Sequence, residues 1–114
     1  MHELSICGSI ASIVTKRAGD RRVGRIHLQV GQLRQIVPDT LVYCWSLVSA
    51  DTELDGAELA IEKIPARITC HACGATIEVG DFPIFVCTDC GGVDVEVVSG
   101  EEFMITSLEL AEVR

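Results

Sequence analysis

Apolar residues at Leu4, Cys7, Ala11, Val14 and Ala18 recur at helical spacing, and Ile6, Ile10 and Ile13 widen the stripe into a broad buried face. Gly19 and Asp20 end that helix. Ile26, Leu28 and Val30 then alternate with His27 and Gln29, the two-residue period of a half-buried strand, which Gly31 closes. A second helix is predicted from Pro38, a residue suited to the first helical turn, through Leu41, Val42, Trp45 and Val48 to about Ala50. Past the polar turn Asp51 to Gly56, Leu59 and Ile61 alternate with Glu58, Ala60 and Glu62 in a second strand that stops at Pro65.

Beyond Pro65 the pattern breaks into short β-like runs. Thr76 to Val79 and Ile84 to Val86 read as a hairpin, and Val93 to Val98 as a strand. After Gly100 regular alternation returns, with Met104, Thr106, Leu108 and Leu110 on one side and Phe103, Ile105 and Glu109 on the other. This last strand is expected to rejoin the first sheet. The predicted fold is α+β, with a small three-stranded antiparallel sheet, two helices and an inserted β module. The boundaries are residues 1–64 and 100–114 for the α/β domain and 65–99 for the insert.

The insert carries the chain's most constraining chemistry. Cys70 and Cys73 form one Cys-x-x-Cys pair and Cys87 and Cys90 another, with thirteen residues between them. Each pair sits on a turn that can aim two sulfurs at one point, and two such turns face to face complete a tetrahedral thiolate cage for Zn(II). Gly74 and Gly91 follow the second cysteine of each pair, where the backbone must curl beneath the metal. The insert is therefore zinc-ribbon-like. Two disulfides would need an oxidising compartment, and nothing in the chain points to one. A catalytic zinc keeps a coordination position open, which four cysteines do not, so the role expected of the zinc is structural. His71 lies inside the first pair and is expected to be an exposed knuckle residue rather than a ligand. Cys7 and Cys44 fall at apolar positions of the two helices, as buried core thiols do.

Composition sharpens this picture. Hydrophobic residues make up 48% of the 114 residues but aromatics only 4%, so the core must be assembled from Ile, Val, Leu and Ala. Such a core is thin, and a bound metal adds folding free energy where apolar burial is scarce. The formal net charge is -8. A four-thiolate zinc centre adds about two further negative charges. That field repels phosphate backbones and disfavours nucleic acid as a partner. Arg17, Arg21, Arg22 and Arg25 straddle the predicted helix end, where cations are favourably placed against its dipole. No uninterrupted apolar run approaches the ~18 residues of a membrane span, and no basic stretch precedes an apolar one at the start. A cytoplasmic protein without membrane partners is expected.

A second chemical feature is only three residues long. In Met1-His2-Glu3, a free α-amine titrating near ~7.7 stands beside an imidazole. The amide nitrogen between them is placed to close two fused chelate rings, a planar nitrogen set that suits Ni(II) or Cu(II). Glu3 could supply a further donor. Any chain beginning Met-His offers these groups, so the residues alone favour a frayed terminus leading into a helix over a metal site.

Several segments occur together in one order: Met1-His2-Glu3-Leu4-Ser5, an arginine-bearing strand ending at Gly31, Val37-Pro38-Asp39, Gly56-Ala57-Glu58-Leu59, Ile64-Pro65-Ala66 before the cysteine pairs, and Ser107-Leu108-Glu109. In this the chain resembles, over essentially its whole length, the HypA/HybF family of nickel-incorporation proteins for NiFe-hydrogenase maturation. The resemblance implies a metallochaperone that binds Ni(II) through His2, assisted by the Met1 amine and by Glu3 or its backbone nitrogen. It implies zinc on Cys70, Cys73, Cys87 and Cys90, with residues 1–64 and 100–114 as the nickel-binding domain. It further implies a maturation GTPase and the hydrogenase large-subunit precursor as partners. In some relatives an acidic residue at the start of the second helix joins the nickel sphere, and Asp39 is the nearest candidate. The competing reading is a zinc-ribbon adaptor that binds protein or nucleic acid without handling nickel. An enzyme is disfavoured, since no nucleophile with its base and no paired carboxylates stand out.

Overall fold

The computed structural model describes residues 3–81 and 84–111. They form α1 (Glu3–Ala18), β1 (Val23–Gly31), a single 3-10 turn at Gln32–Arg34, α2 (Pro38–Ser49), β2 (Glu58–Ile64), β3 (Arg67–Cys70), β4 (Thr76–Glu78), β5 (Val95–Ser99) and β6 (Phe103–Leu110). Two three-stranded sheets result, in the orders β2-β1-β6 and β4-β3-β5. The chain clusters into two compact units. The first gathers the described residues up to Gln29 with Ile36–Glu62 and those from Met104 onward; the second joins Val30–Gln35 to Lys63–Phe103.

In the first unit the helical stripe of α1 buries Ile6, Cys7, Ile10, Val14 and Ala18, while Leu4 and Ile13 stay exposed, so the buried face is narrower than predicted. Leu41 and Trp45 of α2 and Ile26 and Leu28 of β1 complete the core. Full burial of one such side chain is worth roughly 1.5–3 kcal/mol. Trp45 adds a directional tie, its indole N–H donating to the Ala57 carbonyl at 2.8 Å. At the end of α1, Gly19 takes φ +61 and its N–H reaches the Thr15 carbonyl. The Arg21 guanidinium donates to the carbonyls of Ala18 and Arg17 at 3.0 and 3.1 Å, the cationic helix end that the sequence suggested.

The predicted parts of the α+β class are present: two helices, a three-stranded sheet and a β-rich insert. Strand direction is finer than the uniform antiparallel sheet. Arg25 pairs with Glu58 and Gln29 with Glu62, a constant offset of 33 residues, so β2 runs alongside β1 in the same direction. This is what a helical crossover through α2 requires. On its other side β1 meets β6 antiparallel, as the bonds Ala111 N to Arg22 O and Thr106 Oγ1 to His27 O show. Along β6 the burial alternation slips by one residue: Phe103, Ile105 and Leu108 are half-buried, while Thr106 and Ser107 are both exposed. An extra residue at that point turns Leu108 inward and Glu109 outward.

The second unit departs from the hairpin predicted for Thr76–Val79 and Ile84–Val86. β4 is there, but its antiparallel partner is β3, in the register Arg67 with Glu78, Ile68 with Ile77 and Thr69 with Thr76, and residues 84–86 join no ladder. The reason lies in the side chains. Ile68 and Cys70 point inward, Thr69 and Thr76 share a 2.8 Å hydroxyl bond, and Arg67 meets Glu78 at 3.0 Å, so both faces of this pair are satisfied. On the far side of β3, β5 supplies the strand expected within Val93–Val98. The apolar centre is small: Ala66, Ile68 and Val79, flanked by Leu33, Ile77, Val95 and Val97.

The 3-10 turn, which the hydrophobic pattern did not signal, is sewn into this unit by backbone bonds. Leu33 N donates to Gly100 O at 2.8 Å and Gly31 N to Glu102 O at 2.7 Å. Gln32 substitutes for a missing strand: its Oε1 accepts from Ala66 N at 2.9 Å and its Nε2 donates to Gly80 O at 2.9 Å. Gly31, Gly100 and Ala66 approach so closely that a Cβ on Gly100, whose φ is +108, would lie 2.6 Å from Ala66 Cα.

Candidate metal centre

Within the second unit the two cysteine pairs occupy equivalent turns. Gly74 N donates to Cys70 O at 2.8 Å and Gly91 N to Cys87 O at 2.7 Å; Cys70 N bonds Ala75 O and Cys87 N bonds Gly92 O, both at 2.9 Å. The glycines that close the loops have φ +76 and +75, the left-handed geometry that the sequence required of them. Each turn thus presents two sulfurs on one side. In each pair the first cysteine is buried and the second exposed, so the cage has an inner and an outer edge.

The four sulfurs lie within 4.8 Å of one another, with Cys70 to Cys90 and Cys73 to Cys87 both at 3.6 Å. A tetrahedron of thiolates about 2.3 Å from zinc has sulfur edges of about 3.8 Å. The donor set therefore fits a closed structural zinc site, with no position left for water or substrate. Gly92 shapes the cage as well, since a Cβ there would sit 3.3 Å from Cys90 Sγ and 3.5 Å from Cys70 Sγ. Sequence reasoning passed over it, although the doubled glycine Gly91-Gly92 was the signal.

Two of the four thiols are pushed in opposite directions. The Cys73 amide, followed by that of Ala72 and the thiols of Cys90 and Cys73, outweighs desolvation and holds Cys70 down to about 7. Cys90 is pushed up to about 12: the Gly92 amide lowers it, but the sulfurs of Cys70, Cys87 and Cys73, with desolvation, outweigh that bond. Four such groups ionise together only against a cation, so zinc capture releases protons and weakens in acid.

His71 stands apart from this cage. Its Nδ1 meets Asp94 at 3.2 Å and its Nε2 meets Glu96 at 3.6 Å, and the hydrogen bond to Asp94 leads the causes that raise its pKa. Both ring nitrogens are engaged by carboxylates, as befits the exposed knuckle residue expected. Cys7 is fully buried in α1 and Cys44 half-buried in α2. Of the three proposed nickel donors, Met1 and His2 lie outside the described residues, and Glu3 is the first residue of α1. Asp39 is exposed in the first turn of α2. Among the described residues no helix is long and apolar enough to cross a membrane.

Fold and cage define a small α+β protein bearing an inserted four-cysteine zinc ribbon. A family model described as hydrogenase/urease nickel incorporation, metallochaperone, HypA matches residues 1–110. The chain belongs to this HypA family. A protein named Hydrogenase maturation factor HypA from Geotalea uraniireducens is 41% identical over 110 residues, spanning 96% of this chain and 99% of that one. Its namesake from a Nostoc species is 41% identical over 113 residues, spanning 99% and 98%. The solution structure of the Ni metallochaperone HypA from Helicobacter pylori shares the fold, with a TM-score of 0.66 over 96% of this chain and 97% of that one at 20% identity.

Proposed function

We propose that the chain captures Ni(II) at its amino end and delivers it during hydrogenase maturation, while zinc held by Cys70, Cys73, Cys87 and Cys90 keeps the second unit folded. The observation that carries this reading is the family match over residues 1–110, a span that includes the Met1-His2-Glu3 tripeptide. His2 is the principal nickel ligand, with the Met1 amine and Glu3, through its carboxylate or amide, completing a nitrogen-rich set. Of this set, Glu3 is the first residue of α1, and a carrier needs a site that releases its metal as well as binds it. Cu(II) binds such donors more tightly than Ni(II), so selectivity comes from metal supply and partner contact rather than from raw affinity.

The chain acts as a carrier rather than an enzyme. Its partners are a maturation GTPase, expected to assist release, and the hydrogenase large-subunit precursor, expected to receive the metal, both in the cytoplasm. The test is calorimetric Ni(II) titration of protein with an authentic Met1, against His2→Ala. The variant is expected to lose at least about tenfold in affinity, or about 1.4 kcal/mol, with its zinc content unchanged. Equal nickel affinity in the two proteins would remove the amino-terminal site.

A further inference from the structure

Of the two thiols outside the zinc cage, one bonds a carbonyl of α2 one helical turn before the other. Cys7, buried in α1, donates its S–H to Leu41 O of α2 at 3.6 Å. Cys44 is three residues further along α2 and half-buried. A helical side chain lies over the turn that precedes its own Cα, so Cys44 covers the Leu41 turn, to which Cys7 is already bonded. The electrostatics agree: Cys7 is pushed up to about 11, first by burial and next by the charge of Cys44. Neither residue belongs to the metal-ligand cluster.

We propose that Cys7 and Cys44 are a peroxide-responsive pair that forms a reversible disulfide between α1 and α2. The half-buried Cys44 sulfur attacks the peroxide oxygen and becomes a sulfenic acid as the O–O bond breaks and an alcohol or water departs. Cys7 sulfur then attacks the Cys44 sulfur, and the hydroxyl leaves with the Cys7 proton as water. Each sulfur is oxidised by one electron and the peroxide is reduced by two. At pH 8 only about one Cys7 in a thousand is thiolate, which protects it from direct oxidation. Set against an external thiol at about 1 M, an aligned neighbour gains a factor of about 10⁵ or more, which exceeds that thousandfold penalty. The product ties the helix that starts at Glu3 to its neighbour.

The test treats zinc-loaded wild-type protein with hydrogen peroxide, blocks free thiols and maps the peptides. A Cys7–Cys44 peptide two hydrogens lighter than its parts, released by dithiothreitol, is expected, with alkylation of Cys44 slowed by about tenfold or more. In Cys7→Ser the sulfenic acid on Cys44 should persist and react with dimedone. Oxidation of Cys44 onward to sulfinic acid beside a free Cys7 in the wild type overturns the proposal, as does oxidation of the zinc thiols before any link between the helices appears.

Discussion

The two units reach a folded state by different means. In the first, five buried residues on one face of α1 meet Leu41, Trp45 and the inner residues of β1, so apolar burial suffices without a metal. In the second, the buried apolar cluster among the described residues is Ala66, Ile68 and Val79, and the same unit holds four thiols within 4.8 Å of one another. Where side-chain volume is missing, cross-links and close backbone contact substitute for it. The lesson is one of scale: a module of this size holds its shape because a cation and a few glycines remove alternatives that a larger core would exclude by packing.

Zinc removal breaks this comparison most severely. Binding at structural tetrathiolate sites is worth about 10–16 kcal/mol at neutral pH, more than a core of this size supplies. A chelator, or Cys87→Ser, should therefore open residues 63–103 to protease while the helical circular dichroism of α1 and α2 and the fluorescence of Trp45, the chain's one tryptophan, persist. An unchanged cleavage pattern would show the thiols to be dispensable. Loss of the helical signal along with the insert would show instead that the first unit depends on the second.

A smaller effect distinguishes close backbone contact from open space. Gly100→Ala places a Cβ 2.6 Å from Ala66 Cα at a positive φ, and the neighbour is backbone that cannot swing aside. A loss on the order of 3 kcal/mol is expected in urea unfolding of the zinc-loaded protein. Gly8 in α1 has nothing within 4 Å of a built Cβ, so Gly8→Ala should instead leave stability level or raise it by up to about 1 kcal/mol. Equal effects in the two variants would erase the contrast between the units.

Much of the first unit was legible because its elements are long and periodic. The helical stripe from Leu4 to Ala18, the alternation of Ile26 to Val30 and the start at Pro38 each repeat enough times to select one period. The cysteine pairs were equally readable, since metal-ligand spacing is local. What escaped was what depends on distant partners. β3 is four residues long and shows itself only through Glu78, Thr76 and the β5 register. Gln32 looks like any surface glutamine until Ala66 and Gly80 are brought to it. The slip at Thr106 and Ser107 is invisible in a sequence that alternates cleanly. The resemblance carried by Met1-His2-Glu3 spoke to function, where composition alone left two readings open.

The smallest expected effect concerns the outer face of the first sheet, and it sharpens the claim that this unit rests on apolar burial. Glu109 accepts from His27 at 2.5 Å and meets Arg25 at 3.5 Å; the hydrogen bond from His27 leads the causes that lower its pKa below the ordinary 4.5. A carboxylate lowered in the folded state contributes stability above its unfolded pKa and loses it as pH falls through the folded value. Glu109→Gln should therefore lower the urea midpoint slightly at pH 7, and the gap from wild type should close as the pH drops below about 4. Trp45 fluorescence follows the first unit throughout, so zinc loss in acid affects both proteins alike and leaves their difference readable. All the groups are well exposed, so the effect is small and salt should diminish it. A gap that persists in acid would assign the loss to altered packing at β6. A large one at neutral pH would mean that charge, and not burial, holds β6 against β1.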